Sequence, residues 1–193
     1  MAGQIVVLNG APRAGKSSIV AVIQDTFDGL WVNLGVDLFM HATPDRYQPG
    51  IGLRPGGERT DLEAVIPALY SSLYDAIAAH SRNGVNVAVD VGHHDAHSKP
   101  LGVLTDAARR LAGLPVLFVG VRCPIAVIMQ RRDQEGMLVP APVQRWQDEV
   151  HKPGIYDLEV DTSVLSPERC AELIGARLRE GPGNAFQRLA ALG

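Results

Sequence analysis

The chain has 193 residues, of which 46% are hydrophobic and 20% charged, and its formal net charge is −3. This length is typical of one domain, the composition excludes wholesale disorder, and the slightly acidic balance argues against a dedicated nucleic-acid binder. The cations are unevenly divided, with 15 Arg and only 3 Lys. Because arginine cannot imitate a compact ammonium, each lysine is a candidate for a specific role.

Short apolar runs alternate with longer amphipathic stretches along the chain. The apolar runs predict five strands, at 5–8, 31–36, 85–91, 115–121 and 156–160. The stretches between them predict helices at 16–27, 61–81, 99–112, 125–132, 143–150 and 166–180. Pro67 is expected to kink or split the second of these helices. The segment at about 45–60 is rich in Gly and Pro and predicts an irregular flap. Nearly continuous apolar strands joined by helices predict an α/β fold with a parallel sheet covered on both faces.

Cysteine use and the N-terminal sequence bear on location. Cys123 and Cys170 match neither a metal-ligand spacing nor a disulfide framework. The chain runs from Met1 into the apolar run 5–8 without a signal-like segment, and no apolar run approaches the ~20 residues that span a bilayer. We therefore expect a cytoplasmic protein that binds no membrane.

The strongest motif follows the first predicted strand. The segment GAPRAGKS fits the phosphate-loop pattern G-x-x-x-x-G-K-[ST] at every fixed position and precedes a predicted helix. In such a loop, backbone N–H groups and the helix N-terminus surround the phosphates, the lysine reaches the β- and γ-phosphates, and the serine hydroxyl binds Mg²⁺. The predicted nucleotide-binding residues are Gly10, Ala11, Pro12, Arg13, Ala14, Gly15, Lys16, Ser17 and Ser18.

A phosphate loop alone does not choose between a kinase, a GTPase switch and an ATPase. The chain has no N-K-x-D motif, and its D-x-x-G match at 133–136 follows a helix instead of a strand. A motor ATPase would need a larger chain with more strands. The length therefore favours a small-molecule kinase that uses ATP and Mg²⁺.

Candidate catalytic residues lie where such kinases place them. Asp37 follows the second predicted strand and could accept the proton of a substrate hydroxyl, although it could also cap a helix that begins at 38. Arg131 and Arg132 open a predicted lid at 131–142 and could neutralise the transferring phosphoryl group, or be solvated helix charges.

Further candidates surround the predicted crevice. Asp90 ends the third strand and could hold a Mg²⁺-bound water or the acceptor, or cap local backbone, and Ser17 and Asp90 are the predicted metal-site residues. His93 or His94 could line an acceptor pocket, whereas the spacing of this histidine-rich segment is poor for a metal. Arg54, in the flap, could clamp an anionic acceptor or be solvated.

Four segments together resemble chloramphenicol phosphotransferase and its relatives. They are IVVLNGAPRAGKSSIV at 5–20, WVNLGVD at 31–37, VGVRC at 119–123 and VH…YDLEVDT at 150–162. The resemblance implies a P-loop NTPase of adenylate-kinase-like fold, a three-layer sandwich with sheet order 2-3-1-4-5. It also implies ATP-dependent phosphorylation of the primary hydroxyl of chloramphenicol, with the aspartate matching Asp37 as general base.

The lid and the flap depart from that family's pattern. Where the family carries R-x-x-x-R-G-D-R, this chain reads RRDQEGML from 131 to 138. The sequence therefore predicts an O-phosphotransferase with chloramphenicol as leading acceptor, and two alternatives stay open. One is a kinase of another metabolite, such as a sugar, nucleoside or adenylylsulfate. The other is a nucleotide-binding regulator without transfer, and an oligomer is possible in each case.

Overall fold

The computed structural model describes residues 1–53, 55, 59–134 and 143–192. Its centre is a parallel five-stranded sheet in the order β2-β3-β1-β4-β5. The strands are β1 (Ile5–Asn9), β2 (Trp31–Asn33), β3 (Asn86–Val91), β4 (Val116–Arg122) and β5 (Leu158–Asp161). The predicted fold class and strand order are confirmed.

Helices cover both faces of the sheet. They are α1 (Lys16–Thr26), α2 (Val36–Ala42), α3 (Ile66–Arg82), α4 (Val103–Arg110), α5 (Ile125–Gln134), α6 (Val143–Glu149), α7 (Pro167–Arg179) and α8 (Ala185–Ala190). Short 3-10 turns occupy Asp45–Tyr47, Gly50–Gly52 and Thr60–Val65. None of the helices in the described ranges is long and apolar enough to cross a membrane.

Alternation along β1 shows how the two layers of core are built. Ile5 and Val7 pack into the cluster that includes α3, α4 and α8, whereas Val6 and Leu8 pack against α1 and α7 on the opposite face. All four side chains are fully buried. Because both faces of β1 are covered, its sequence is apolar at every position up to Asn9.

Two predicted elements end differently from expectation. The second strand, predicted to reach residue 36, stops at Asn33, whose Oδ1 accepts a hydrogen bond from the Gly35 backbone N–H at 2.8 Å. This local turn starts α2 at Val36. The predicted helix 61–81 is split beside Pro67, as expected, but its first part is a 3-10 turn that ends at Val65. Pro67 lies in the first turn of α3, where its missing N–H costs no hydrogen bond.

Candidate functional site

The predicted phosphate loop connects β1 to α1 and has the backbone that such a loop needs. Gly15 has a φ of 87°, in the left-handed region where glycine is favoured. At Gly10 a Cβ would lie 2.5 Å from the carbonyl oxygen of Val121, so only glycine fits against β4 there. These two glycines bring the loop onto the C-terminal edge of the sheet and point the first turn of α1 back at it.

Lys16 lies inside this loop. Its Nζ donates hydrogen bonds to the carbonyl oxygens of Gly10 and Ala11, each at 2.8 Å. Burial lowers the pKa of Lys16 to about 8, while the negative charges of Asp90 and Asp37 act in the opposite direction. The negative charges of Asp90 and Asp37 therefore both act on Lys16.

Asp90 lies between the phosphate loop and the beginning of α2. It pairs with Leu8 in the register of β3 with β1, and its Oδ2 accepts a hydrogen bond from Ser17 Oγ at 2.6 Å. Its Oδ1 approaches Gly35 so closely that a Cβ there would lie 1.8 Å away. The hydroxyl and the carboxylate are hard oxygen donors of the kind that Mg²⁺ prefers. Two protein ligands suit Mg²⁺, because its other coordination positions are usually filled by water molecules and by phosphate oxygens of the substrate.

Asp37 is placed differently from expectation within the same site. It belongs to the first turn of α2, not to the end of β2, and the N-cap of that helix is Gly35. The backbone carbonyl of Asp37 is 2.7 Å from His41 Nδ1, and the residue is exposed. Neither the strand-end position nor the capping role is correct, but the carboxylate still acts on Lys16 across the crevice.

Arg131 is not a solvated helix charge. Its Nη2 donates to the carbonyl oxygen of Thr162 at 2.7 Å, and its Nη1 donates to Thr162 Oγ1 at 3.2 Å and to the carbonyl oxygen of Arg13 at 3.1 Å. Thr162 Oγ1 in turn donates to the carbonyl oxygen of Ala14 at 2.7 Å. Arg131 thus joins α5 to the phosphate loop and to the segment after β5.

A cleft of about 450 Å³ runs from the phosphate loop to this junction. Its lining combines polar side chains of the loop and of the first turn of α1 with the Arg131 side chain and with apolar side chains after β5. The lining residues are Arg13, Gly15, Lys16, Ser17, Ser18, Arg131, Thr162, Leu165 and Pro167.

Several predicted site residues lie outside what the structure describes. Arg54 falls outside the described residues, as does most of the predicted lid, 135–142. Arg132 belongs to α5, but its side chain is outside the described part. Their predicted roles stay predictions.

His93 and His94 are buried behind the loop. His93 Nε2 lies 2.6 Å from the Tyr74 hydroxyl, and its ring is tilted by 32° against the ring of Tyr70, with the centroids 4.8 Å apart. Burial lowers the pKa of His93 to about 3 and also lowers that of His94, so both rings are neutral at neutral pH. His94 Nε2 is 2.9 Å from the carbonyl oxygen of Leu53, which joins it to the predicted flap. Within the described ranges, no group of three metal-ligating side chains forms a metal site.

Sequence reasoning missed the residue that ties these segments together. Asn9, the last residue of β1, is buried and hydrogen-bonds to the backbone of His93, to the backbone of Val150 and to the Tyr156 hydroxyl. The sequence does contain one indication of this role, because Asn9 is a polar residue at the end of an otherwise apolar strand, directly before the phosphate loop. Its partners lie as far as 147 residues away and could not be read from the pattern.

Comparison with known proteins agrees with this geometry. The M. tuberculosis APS kinase, solved in complex with AMPPNP and APS, superposes with a TM-score of 0.67 at 17% identity, covering 92% of this chain and 98% of that one. Shikimate kinase from Acinetobacter baumannii gives a TM-score of 0.61 at 12% identity, covering 92% and 94%. At these identities the likeness shows the fold, which is that of P-loop kinases.

Sequence comparison narrows the class. A Mycobacterium tuberculosis H37Rv protein named "Putative O-phosphotransferase" is 29% identical over 202 residues, covering 97% of this chain and 88% of that protein. The model of the family described as chloramphenicol phosphotransferase-like protein matches residues 3–179. Fold and site together define a P-loop phosphotransferase. More particularly, the chain belongs to the chloramphenicol phosphotransferase-like family.

Proposed function

We propose that this protein transfers the γ-phosphoryl group of ATP to a hydroxyl of a small molecule, with chloramphenicol-type alcohols as the leading acceptor class. The observation that carries the proposal is the convergence of Lys16, Ser17, Asp90 and Asp37 at one end of the phosphate loop. Such a set supplies a cation for the phosphates, oxygen ligands for a metal and a carboxylate for the acceptor.

ATP occupies the cleft between the phosphate loop and the Arg131–Thr162 junction in this proposal. The triphosphate lies on the backbone of residues 10–18, with the positive end of α1 directed at it. The apolar walls at Leu165 and Pro167 suit the base. On binding, the Lys16 ammonium exchanges the carbonyl oxygens of Gly10 and Ala11 for phosphate oxygens, which are stronger acceptors because they are charged.

Asp37 serves the acceptor. As the acceptor oxygen bonds to the γ-phosphorus and ADP departs, the hydroxyl proton passes to the Asp37 carboxylate. Positioning of this kind of base contributes about 10²–10⁴-fold, and the rest of the acceleration comes from alignment and charge stabilisation. Mg²⁺ held by Ser17 and by Asp90 directly or through water would neutralise phosphate charge.

The acceptor class is supported by the family and by the neutral histidines near the flap. Among the described residues, the wall around His94 carries Leu53 and Trp146, with ring centroids of His94 and Trp146 5.5 Å apart. Because burial keeps His94 neutral at neutral pH, this residue would supply no positive charge to an anionic acceptor such as adenylylsulfate.

The experiment is a panel of alcohols incubated with ATP and Mg²⁺, beginning with chloramphenicol and including sugars, nucleosides and adenylylsulfate, with mass spectrometry to find the phosphorylated product. Lys16→Ala and Asp37→Asn should each lower turnover at least about 10²-fold, by loss of phosphate charge stabilisation and of the base. Matched controls are Lys99→Ala and Asp25→Asn, which change exposed residues away from the site. Full turnover by Asp37→Asn would refute the role of Asp37 as general base. Nucleotide binding with no product from any acceptor would favour a nucleotide-binding regulator without transfer activity.

A further inference from the structure

Arg13, in the middle of the phosphate loop, has a backbone conformation that residues with a side chain rarely adopt. Its φ is 65°, and among the residues that the structure describes it is the only one other than glycine with a positive φ. This left-handed conformation is strained for an L-residue, because the Cβ comes too close to a backbone carbonyl oxygen. Such strain persists only where surrounding contacts hold the backbone in place. The contacts that hold Arg13 therefore bear on what the loop binds.

Two side chains from outside the loop hold its backbone carbonyl groups at Arg13 and at the next residue. Arg131 Nη1 donates to the carbonyl oxygen of Arg13 at 3.1 Å, and Thr162 Oγ1 donates to the carbonyl oxygen of Ala14 at 2.7 Å. The two side chains are also joined to each other, because Arg131 Nη1 donates to Thr162 Oγ1 at 3.2 Å. Arg131 Nη2 donates to the carbonyl oxygen of Thr162 at 2.7 Å, which fixes the plane of the guanidinium. Arg131 and Thr162 together form a clamp on the loop.

The clamp also sets the direction of the N–H groups that follow these carbonyls. In a trans peptide unit the N–H points opposite to the C=O. Since the carbonyls of Arg13 and Ala14 point at the clamp, the N–H groups of Ala14 and Gly15 point to the opposite side. The Ala14 N–H donates to the carbonyl oxygen of Ala11 at 3.2 Å, and the same oxygen accepts from Lys16 Nζ. The clamp therefore turns backbone N–H groups toward the side of the loop that carries the Lys16 ammonium, where the phosphates bind in this motif.

The hydrogen bonds of Arg131 give it a different role from that of Lys16. Both hydrogens of Arg131 Nη1 have acceptors within the protein, because the carbonyl oxygen of Arg13, Thr162 Oγ1 and Cys123 Sγ all lie within 3.4 Å of this nitrogen. If the guanidinium turned to a phosphate, it would release the carbonyl group of the strained residue that it holds. Lys16 can turn to a phosphate at no such cost, because the two carbonyl groups that it bonds belong to residues without a left-handed backbone.

We propose that Arg131 is a positioning residue that, with Thr162, holds Arg13 in the left-handed conformation and so keeps the loop in its phosphate-binding shape before the nucleotide binds. The proposal rests on the proposed function, because it concerns the same nucleotide site. It replaces the predicted role of Arg131 in neutralising the transferring phosphoryl group. Because the N–H groups of such a loop surround the α- and β-phosphates, which ADP and ATP share, the clamp supports the binding of both nucleotides equally.

The test is calorimetric titration with AMPPNP and with ADP, both with Mg²⁺, which needs no knowledge of the acceptor. Arg131→Met should raise both Kd values by the same factor, about tenfold or more, because the loop then has its binding conformation for only a fraction of the time. Arg131→Lys keeps the positive charge but loses the planar fork that reaches Thr162 and Arg13, so it should recover little of the affinity. Weakened binding of AMPPNP alone, or recovery of the affinity by lysine, would indicate that Arg131 acts on the γ-phosphoryl group by its charge and would overturn the proposal.

Substitutions at Arg13 test the strain itself. Arg13→Gly removes the penalty of the left-handed conformation, so adding Arg131→Met to it should raise the two Kd values by less than about threefold. Arg13→Ala removes the same side chain but keeps the Cβ, so the full effect of Arg131→Met should remain in that background. Equal effects of Arg131→Met in the glycine and alanine backgrounds would overturn the proposal.

Controls separate the possible failures. Arg177→Met changes an arginine in the last turn of α7 whose Nη1 donates to the carbonyl oxygen of Gly181 at 2.9 Å, and it should leave both affinities unchanged. If Arg131→Met does not fold, Thr162→Val removes the hydroxyl of the clamp and should weaken AMPPNP and ADP equally. Unchanged affinities in Arg131→Met or in Thr162→Val overturn the proposal while the nucleotide site stands. Wild-type protein that binds neither nucleotide overturns the proposed function as well.

Discussion

The contact between Gly35 and Asp90 provides the sharpest test of how the site is built. Gly35 has a φ of −63°, which any residue can adopt, so conformational freedom does not explain a glycine there. The lack of space for a side chain explains the glycine, because a Cβ would lie 1.8 Å from Asp90 Oδ1 and 3.1 Å from Asn33 Oδ1. We expect Gly35→Ala to force the Asp90 carboxylate away from α2.

The size of the effect follows from that distance. Since Cβ contacts essentially never fall below 3.0 Å, Asp90 Oδ1 must retreat by about 1.2 Å or the start of α2 must move by as much. A retreat of this size strains the 2.6 Å hydrogen bond between Ser17 Oγ and Asp90 Oδ2. Overpacking of this kind costs about 1–3 kcal/mol of the free energy of unfolding.

A double-mutant cycle measured by urea denaturation isolates this contact. In an Asp90→Ala background the obstructing carboxylate is gone, so Gly35→Ala should then cost less than about 0.5 kcal/mol, the level at which independent sites add. The expected coupling energy is about 1–3 kcal/mol. The slope of unfolding free energy against urea should stay constant, because surface exposed on unfolding does not change.

Additivity of the two substitutions would refute this reasoning. Equal costs of Gly35→Ala with and without the Asp90 carboxylate would mean that the alanine is resisted by something other than Asp90. Gly175→Ala serves as a control for glycine replacement, because it lies in α7 and its Cβ would meet Phe27, away from the site. It should show no coupling with Asp90→Ala.

Two further predictions concern the buried polar groups behind the loop. Asn9→Ala leaves the His93 N–H and the Val150 carbonyl without their partner, so it should lower the free energy of unfolding, measured by urea denaturation, by about 3 kcal/mol. The control Asn83→Ala removes an exposed hydrogen bond and should lower it by less than about 0.5 kcal/mol. Equal losses in the two variants would contradict a stabilising role of the Asn9 hydrogen bonds. The pKa of His93 is about 3 in the folded protein and about 6.5 in the unfolded chain, so the unfolded chain binds the proton more readily. The free energy of unfolding should therefore fall as the pH drops below about 6.5, by about 2 kcal/mol at pH 5. His93→Gln should reduce this decrease.

What the sequence predicted well was local or periodic. The phosphate loop is a fixed spacing of residue types, and the parallel strands are continuous apolar runs, so both could be predicted from the chain alone. The placement of Asp90 beside the phosphate loop followed from the strand order that the resemblance implied, and the structure brings Asp90 Oδ2 within 2.6 Å of Ser17 Oγ. The order of the strands needed the family resemblance.

What the sequence could not predict depends on competition between local and tertiary contacts. The Asn33 side chain accepts a hydrogen bond from the Gly35 N–H and so ends β2 early. Strand propensity does not predict such a local hydrogen bond between a side chain and the backbone. Arg131 reads as one more helix charge until the fold brings Arg13 and Thr162, 118 and 31 residues away, within reach of its guanidinium. Asn9 likewise acquires its partners only when the sheet is formed.

The two ends of the cleft use their polar groups in different ways. Arg131 already gives its hydrogen bonds to main-chain oxygens and to Thr162, so it holds the loop and its charge is partly satisfied before any nucleotide binds. Lys16 is also bonded to carbonyl oxygens, but burial lowers its pKa to about 8, so its ammonium gains most from a new anion. In the proposed function, a triphosphate therefore gains more from Lys16 than from Arg131.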